Sequence, residues 1–301
     1  MSEHDTIVVD DALLRDWALP MPGDGGDKEE RGSLLVIGGS RQMPGAVILA
    51  ATAAMRAGAG KLAIATGNSV AQLVALAIPE SRVIGLPETA DGGIATAGVA
   101  ALESLQGKVD AVLIGPGMLD EPAICDFVHA LLPMLEGVPV ILDAAAMGVV
   151  CKVGAGGAGF LGRYGAKVLL TPHAGEMAHL SSASKEAVEQ DPDALARRMA
   201  QRWRATVALK GPVTYIAAPD GRLWKHEGGN VGLAASGSGD TLAGIIVGLA
   251  ARGATLEQAS AWGVALHARA GDRLADRSGP LGYLTRDLAA EVPSLMHALG
   301  S

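Results

Sequence analysis

The chain has 301 residues, 49% of them hydrophobic, which is enough for one large α/β domain or two smaller ones around a sizeable core. Only 3% are aromatic while 41 are glycine, so Ala, Val, Leu and Ile must fill that core around close backbone contacts, as in layered helices and sheet. A net charge of -8 with no basic block interleaved with aromatics argues against general nucleic-acid or anionic-membrane binding, and the two cysteines, Cys125 and Cys151, are too few for a disulfide framework or a Cys-based zinc site and suggest a reducing, cytoplasmic setting.

The start, MSEHDTIVVDD, is acidic and lacks the basic head and apolar run of a signal peptide. No apolar span of about 20 residues is free of charge, glycine or proline, so no transmembrane helix is expected. Residues 1–31 form an N-terminal extension ahead of one domain over residues 32–301. Its apolar piece at residues 7–9 suits an edge strand, on this sheet or on a neighbouring subunit. Residues 20–30, PMPGDGGDKEE, read as an exposed loop.

From Ser33 onward, short apolar runs alternate with longer helical patterns. The runs are LLVIG at 34–38, KLAIAT at 61–66, RVIGL at 82–86, DAVLIG at 110–115, VPVILDA at 138–144, KVLLT at 167–171, TVALK at 206–210 and VTYIAA at 213–218. Continuous rather than alternating hydrophobicity marks strands buried on both faces of a mostly parallel sheet, and most of the spacings leave room for crossover helices. Only Gly211 and Pro212 separate the last two runs, which predicts a hairpin and an antiparallel margin. Pro44 suits a first helical position, Gly58 and Gly60 the end of that helix, and Thr255 with Gln258 a capping box.

The chemistry collects at the C-terminal ends of these strands. Gly38-Gly39-Ser40, Gly115-Pro116-Gly117, Asp143, Thr171-Pro172-His173 and Lys210-Gly211 all fall at that edge, where open α/β sheets bind ligands. Residues 228–249, GGNVGLAASGSGDTLAGIIVGL, run from a glycine-rich loop into an apolar helix. Gly237, Ser238 and Gly239 read as an anion hole, because a helix start offers unpaired N–H groups and glycine admits close approach. Asp240 either caps this helix or takes the proton from a hydroxyl being phosphorylated. Glu176 either holds a Mg²⁺ through water or belongs to a capped turn with His173, and Asp143 either caps the next turn or faces the metal. His267, inside a helical pattern, reads as a packing histidine. No P-loop, HExxH or GxSxG motif is present, GSGDTL breaks the GxGxxG pattern at Leu242, and no strand-turn dinucleotide fingerprint appears elsewhere.

Six of these segments, in this order, carry a resemblance: IGGSRQMPGAVILAATAAMRAGAG, IGPG, ILDAAAM, LLTPHAGEM, LKGPVTYIAAPDG and the stretch at 228–249. The chain resembles the ADP- or ATP-dependent NAD(P)H-hydrate dehydratases of the ribokinase-like superfamily, from about Ser33 to the C-terminal segment near Pro293. The resemblance implies a three-layer α/β/α sandwich, a hydrated NADH or NADPH substrate, ADP or ATP as co-substrate with Mg²⁺, and a homo-oligomer, a tetramer by analogy. Carried over by position, hydrate-binding residues are Ala46, Gly117, His173 and Asp240, and nucleotide contacts are Lys210, Gly211, Pro212, Val213, Thr214 and Gly239. The epimerase domain that often accompanies the family does not fit in the N-terminal extension, and by the same analogy a separate epimerase protein is a candidate partner.

The chain departs from the family pattern where Glu29 follows Lys28, where Ala145 takes the place of a second Asp after Asp143, and at Ala235-Ser236. Two other readings use the same residues: a superfamily kinase acting on a vitamin-precursor alcohol, and a non-catalytic nucleotide-binding protein.

Overall fold

The computed structural model describes residues 6–23, 27–152, 161 and 167–300. Ten strands lie in one sheet among these residues: β1 (Ile7–Val8), β2 (Ser33–Ile37), β3 (Lys61–Gly67), β4 (Arg82–Leu86), β5 (Ala111–Ile114), β6 (Pro139–Leu142), β7 (Lys167–Leu170), β8 (Thr206–Leu209), β9 (Val213–Ala217) and β10 (Leu223–Glu227). Their order is β1-β10-β9-β8-β7-β6-β5-β2-β3-β4. All eight apolar runs are strands. Neighbours from β4 across to β8 are parallel, and β9 is antiparallel to both β8 and β10.

Strand β10 had no expectation in the sequence, because LWKHE carries charge and lacks a clean alternation. A turn through Asp220 and Gly221 (φ +96°) returns the chain onto β9, closed by Ala218 N–H donating to Arg222 O at 2.9 Å. Residues 7–9 are settled as an edge strand of this chain's own sheet, since Ile7 and Val8 pair with Trp224 and Lys225.

Alternation along β2 divides two cores. Leu34 and Val36 face a layer holding helices Pro44–Arg56, Ser238–Ala251, Leu256–Ser278 and Thr285–Ala298, while Leu35 and Ile37 face helices Glu121–Leu131, Ala174–Ser181 and Pro192–Trp203. With so few aromatics, the first layer closes by backbone approach. A Cβ on Gly244 or Gly248 would overlap the carbonyl oxygen of Ala50 or Ala54 on the neighbouring helix. Gly244→Ala gains about 1 kcal/mol of helix propensity but must push two helices apart, and overpacking of this kind costs about 1–3 kcal/mol or more. A lower urea midpoint at unchanged m-value is the expected result.

The N-terminal extension is packed into this layer. Asp10 caps the short helix Asp11–Asp16, Leu14 is buried, and Trp17 stacks on Trp224 with ring centroids 5.7 Å apart. The carbonyl of Trp17 accepts from Trp262 Nε1 and Gln258 Nε2. This corrects the capping box at Thr255. Thr255 Oγ1 does accept from Gln258 N–H at 3.2 Å, but the Gln258 amide reaches Trp17 and Ala18 instead of back to the cap. Of the loop at 20–30, Met21 is exposed and residues 24–26 lie outside the described residues, as do residues 1–5.

Strand β2 sits between β3 and β5, so the strand order reverses there, which in open parallel sheets opens a crevice at the strand ends. The loops after β2 and β5 meet at that crevice, with Gly39 N–H donating to Pro116 O at 2.6 Å. No helix among the described residues is long and apolar enough to cross a membrane.

Candidate active site

The helix Ser238–Ala251 begins without a side-chain cap. Gly237 occupies the cap position at φ +87°, a conformation that favours glycine, and has no side chain to cap the first-turn N–H groups. Asp240 is the third residue of the helix, inside its first turn. The cap reading of Asp240 is therefore set aside. Its carboxyl is pushed up to about 6, first by burial and then by the negative charges of Asp143 and Glu176, with the Lys210 ammonium opposing.

Lys210 follows β8 and carries the positive charge of the site. Its Nζ lies 3.3 Å from Asp143 Oδ1 and 3.9 Å from Glu176 Oε2, and 3.4 Å from where a Cβ on Gly239 would stand. The ammonium thus lies in van der Waals reach of the helix start. Burial works against the charge on Lys210, but Asp143, Glu176 and Asp240 outweigh it and raise its pKa, so it stays an ammonium.

Asp143 is 3% exposed and follows β6. The sequence left it between cap and metal ligand; it makes no cap hydrogen bond to the turn it starts. Instead Oδ1 accepts from Thr171 Oγ1 at 2.6 Å and from Lys210. Thr171 is a site residue that the strand pattern located but gave no role. Gly115 holds the neighbouring loop at φ +132°, where a Cβ would overlap the Asp143 carbonyl.

His173 and Glu176 form the capped turn. His173 Nδ1 accepts from Gly175 N–H at 3.0 Å and Glu176 N–H at 3.2 Å, and Glu176 Oε2 accepts from His173 N–H at 2.8 Å. This reciprocal box fixes Nδ1 as an acceptor and starts the helix Ala174–Ser181. The Glu176 carboxylate is half-buried beside Lys210 rather than fully solvated.

The other predicted residues surround this cluster in two groups. Gly117 (φ +66°) lies against Ala46, whose Cβ would be 2.7 Å from a Cβ at Gly117, so these two share one wall of the crevice. Gly211 and Pro212 form the exposed hairpin tip after Lys210, while Val213 and Thr214 enter β9 opposite Glu227 and His226. Thr214 Oγ1 donates to Gly211 O at 3.5 Å, and Lys210 links this hairpin to the carboxylates. His267 is buried and packs as expected, with its Nε2 3.0 Å from Ser238 Oγ. Ala145, in place of a second acid, lines a cavity of about 390 Å³ with Glu121, His173, Glu176 and His179.

Among the described residues no cluster of three or more His, Cys, Asp or Glu could by itself enclose a metal. Mg²⁺ does not require one, because it keeps several waters and binds through one or two carboxylates plus substrate phosphates. Glu176 and Asp143, flanking Lys210 beside an open helix start, fit that donor set.

The model of the Carb_kinase family, described as NAD(P)H-hydrate dehydratase, matches residues 34–294. The chain belongs to that family. The chain is 46% identical over 288 residues to the ADP-dependent (S)-NAD(P)H-hydrate dehydratase of Xanthomonas campestris, covering 96% of this chain and 95% of that protein. It is 37% identical to the bifunctional NAD(P)H-hydrate repair enzyme of Moorella thermoacetica, of which it spans 52%. The crystal structure of the ADP/ATP-dependent NAD(P)H-hydrate dehydratase from Bacillus subtilis, co-crystallised with ATP and Mg²⁺, superposes with a TM-score of 0.84 at 28% identity, covering 98% of this chain and 99% of that one. The ribokinase-like α/β fold implied by the resemblance is thus this dehydratase-family chain's fold, mostly parallel with antiparallel strands and helices on both sides.

Proposed function

We propose that the chain dehydrates hydrated NADH or NADPH at the expense of ADP or ATP. The observation that carries this reading is the pairing of an uncapped helix start at Gly237 with a half-buried carboxyl, Asp240, poised near neutral pH beside Lys210. The family supplies the substrate class. Hydroxide is a poor leaving group and phosphate a good one. Asp240 takes the proton of the ring hydroxyl as that oxygen forms a bond to the terminal phosphorus of the nucleotide and the old P–O bond breaks. The amides around Gly237, Ser238 and Gly239 and the Lys210 ammonium balance the charge on the phosphoryl group in transit. The ring nitrogen lone pair then expels phosphate, and loss of a proton from the adjacent carbon restores the dihydropyridine.

Mg²⁺, held by Glu176 through water with Asp143 nearby, would neutralise charge on the nucleotide phosphates. Ala46, Gly117, His173 and Asp240 bind the hydrate, and Lys210, Gly211, Pro212, Val213, Thr214 and Gly239 the nucleotide. Residues 32–301 make up the catalytic domain and residues 1–31 its extension, and the enzyme acts in the cytoplasm as a homo-oligomer, a tetramer by family analogy.

The test is purified protein with NADH hydrate, Mg²⁺ and either ADP or ATP. Return of the reduced-nicotinamide absorbance is the expected outcome, and running the nucleotides side by side identifies the co-substrate. A stable phosphorylated product with no return of absorbance would instead make the chain a superfamily kinase.

A further inference from the structure

Behind the turn at Gly237, Ser238 and Gly239 sits a polar contact that the chemistry above does not use. His267, midway along the helix Leu256–Ser278, is 9% exposed among the fully buried Trp262, Leu266 and Ala270. Its Nε2 is 3.0 Å from Ser238 Oγ, and Ser238 is itself 5% exposed. An imidazole and a hydroxyl buried without each other would each be left with an unmet hydrogen bond, whereas two apolar side chains would fill the space with no such requirement. Burial alone does not account for a polar pair here. Direction does, because a hydrogen bond fixes where its partners point.

The turn needs such fixing. Ser238 lies between Gly237 at φ +87° and Gly239, so the backbone on both sides has more freedom than other residues allow. No side chain caps the helix. The cap position, from which a serine side chain would bond the free N–H groups of the first turn, is held by Gly237, which has no side chain to do so. The contact with His267 ties the first residue of the helix inward to a neighbouring helix, on the side away from an anion at the helix start. On the other side Thr285 Oγ1 donates to Ser236 O at 2.9 Å, so the glycine-rich turn is held at both ends from two separate helices. Burial drives the His267 imidazole down to about 4, against a hydrogen bond to the Ser238 backbone and with the Lys210 charge adding to the effect, so the ring is neutral at working pH and the contact adds no charge beneath the hole.

We propose that His267 is a positioning residue that, through Ser238, sets the direction of the first-turn amides of the helix Ser238–Ala251 toward the phosphoryl group in transit. The proposal rests on the reading of this site as a phosphoryl-transfer centre.

Steady-state kinetics of the full chain test it. His267→Phe and Ser238→Ala are each expected to lower kcat roughly ten- to hundredfold, the size of effect that misdirected oxyanion donors produce, with the KM for NADH hydrate within about twofold of the parent. His267→Gln, which can still bond the hydroxyl, is expected to recover to within about fivefold of the parent. The Ser238→Ala/His267→Phe double variant is expected to be no slower than the worse single one, because both remove the same contact. Parental kcat in either folded single variant, or single losses that multiply in the double, overturns the proposal. Should circular dichroism show that His267→Phe does not fold, Ser238→Ala and His267→Gln decide the matter alone: parental kcat in the serine variant, or a glutamine variant that falls about as far as the serine variant, overturns it. Absence of turnover in the parent removes the functional reading and this proposal with it, whereas full turnover in parent and variants removes the positioning role alone.

Discussion

Asp240→Asn is expected to lose turnover by about 10³-fold or more while nucleotide binding, measured by calorimetry, stays near the parent level. General-base catalysis contributes about 10²–10⁴-fold, and an amide of the same shape cannot take the hydroxyl proton. In the parent, kcat/KM should fall tenfold per pH unit below about 6, where burial and the flanking carboxylates Asp143 and Glu176 place the Asp240 titration. The same shift has a consequence for stability, with opposite sign to the usual carboxylate. The folded chain holds the Asp240 proton more tightly than the unfolded chain, from a model value of 3.8 up to about 6. The favourable contribution is complete below the unfolded value and is lost as pH rises through 6. At pH 7–8 the charged form opposes folding, so Asn should stabilise the protein there by about 1–2 kcal/mol, and by nothing below about pH 4. Thermal melts at pH 4 and pH 8 check this. An Asn variant as active as the parent would remove Asp240 from the base role.

Lys210→Met should have the second-largest effect. Methionine fills nearly the same volume, so the change removes the charge that faces Gly239, Asp143 and Glu176. Loss of one donor to a transferring phosphoryl group costs about 10²–10³-fold in kcat. The acidic limb should also move to higher pH, because Lys210 is the cation that restrains the upward shift of Asp240. Stability should drop at pH 8 by about 3 kcal/mol, the usual cost of leaving a buried carboxylate unpaired, here Asp143. Part of that loss should return at pH 6 as a carboxyl takes up a proton. Urea unfolding at the two pH values and a pH profile of kcat/KM measure both; an unmoved limb would show that Lys210 does not govern the base.

Much of the site was legible because its chemistry hangs on strand ends. Runs such as LLVIG and VPVILDA locate their own C-terminal edges, so Gly38, Asp143, His173 and Lys210 could be placed on one side of the sheet before any contact was known. What each side chain does there was less legible. Asp240 and Asp143 each satisfied two roles on paper, and an Asp ahead of an apolar run looks the same whether it caps or reacts. The structure resolves both by a backbone fact: Gly237 takes the cap position, and Asp143 turns to Thr171 and Lys210. For Glu176 the capped turn that competed with the metal reading is the geometry observed, and the carboxylate still borders Lys210.

The sequence by itself determined the layered α/β class, the hairpin between β8 and β9, the apolar helix behind the glycine loop and the residues that crowd the strand ends, since all of these follow from periodicity and from the backbone freedom of glycine along a contiguous stretch. Only the tertiary structure decided that residues 7–9 join this chain's own sheet through β10, that Gln258 serves Trp17 and Ala18 and does not complete its own cap, and that His267 meets Ser238 across 29 positions of chain. Those outcomes depend on where helices land relative to one another. Local pattern carries no record of that, because a histidine that packs and a histidine that holds a catalytic turn occupy the same apolar face.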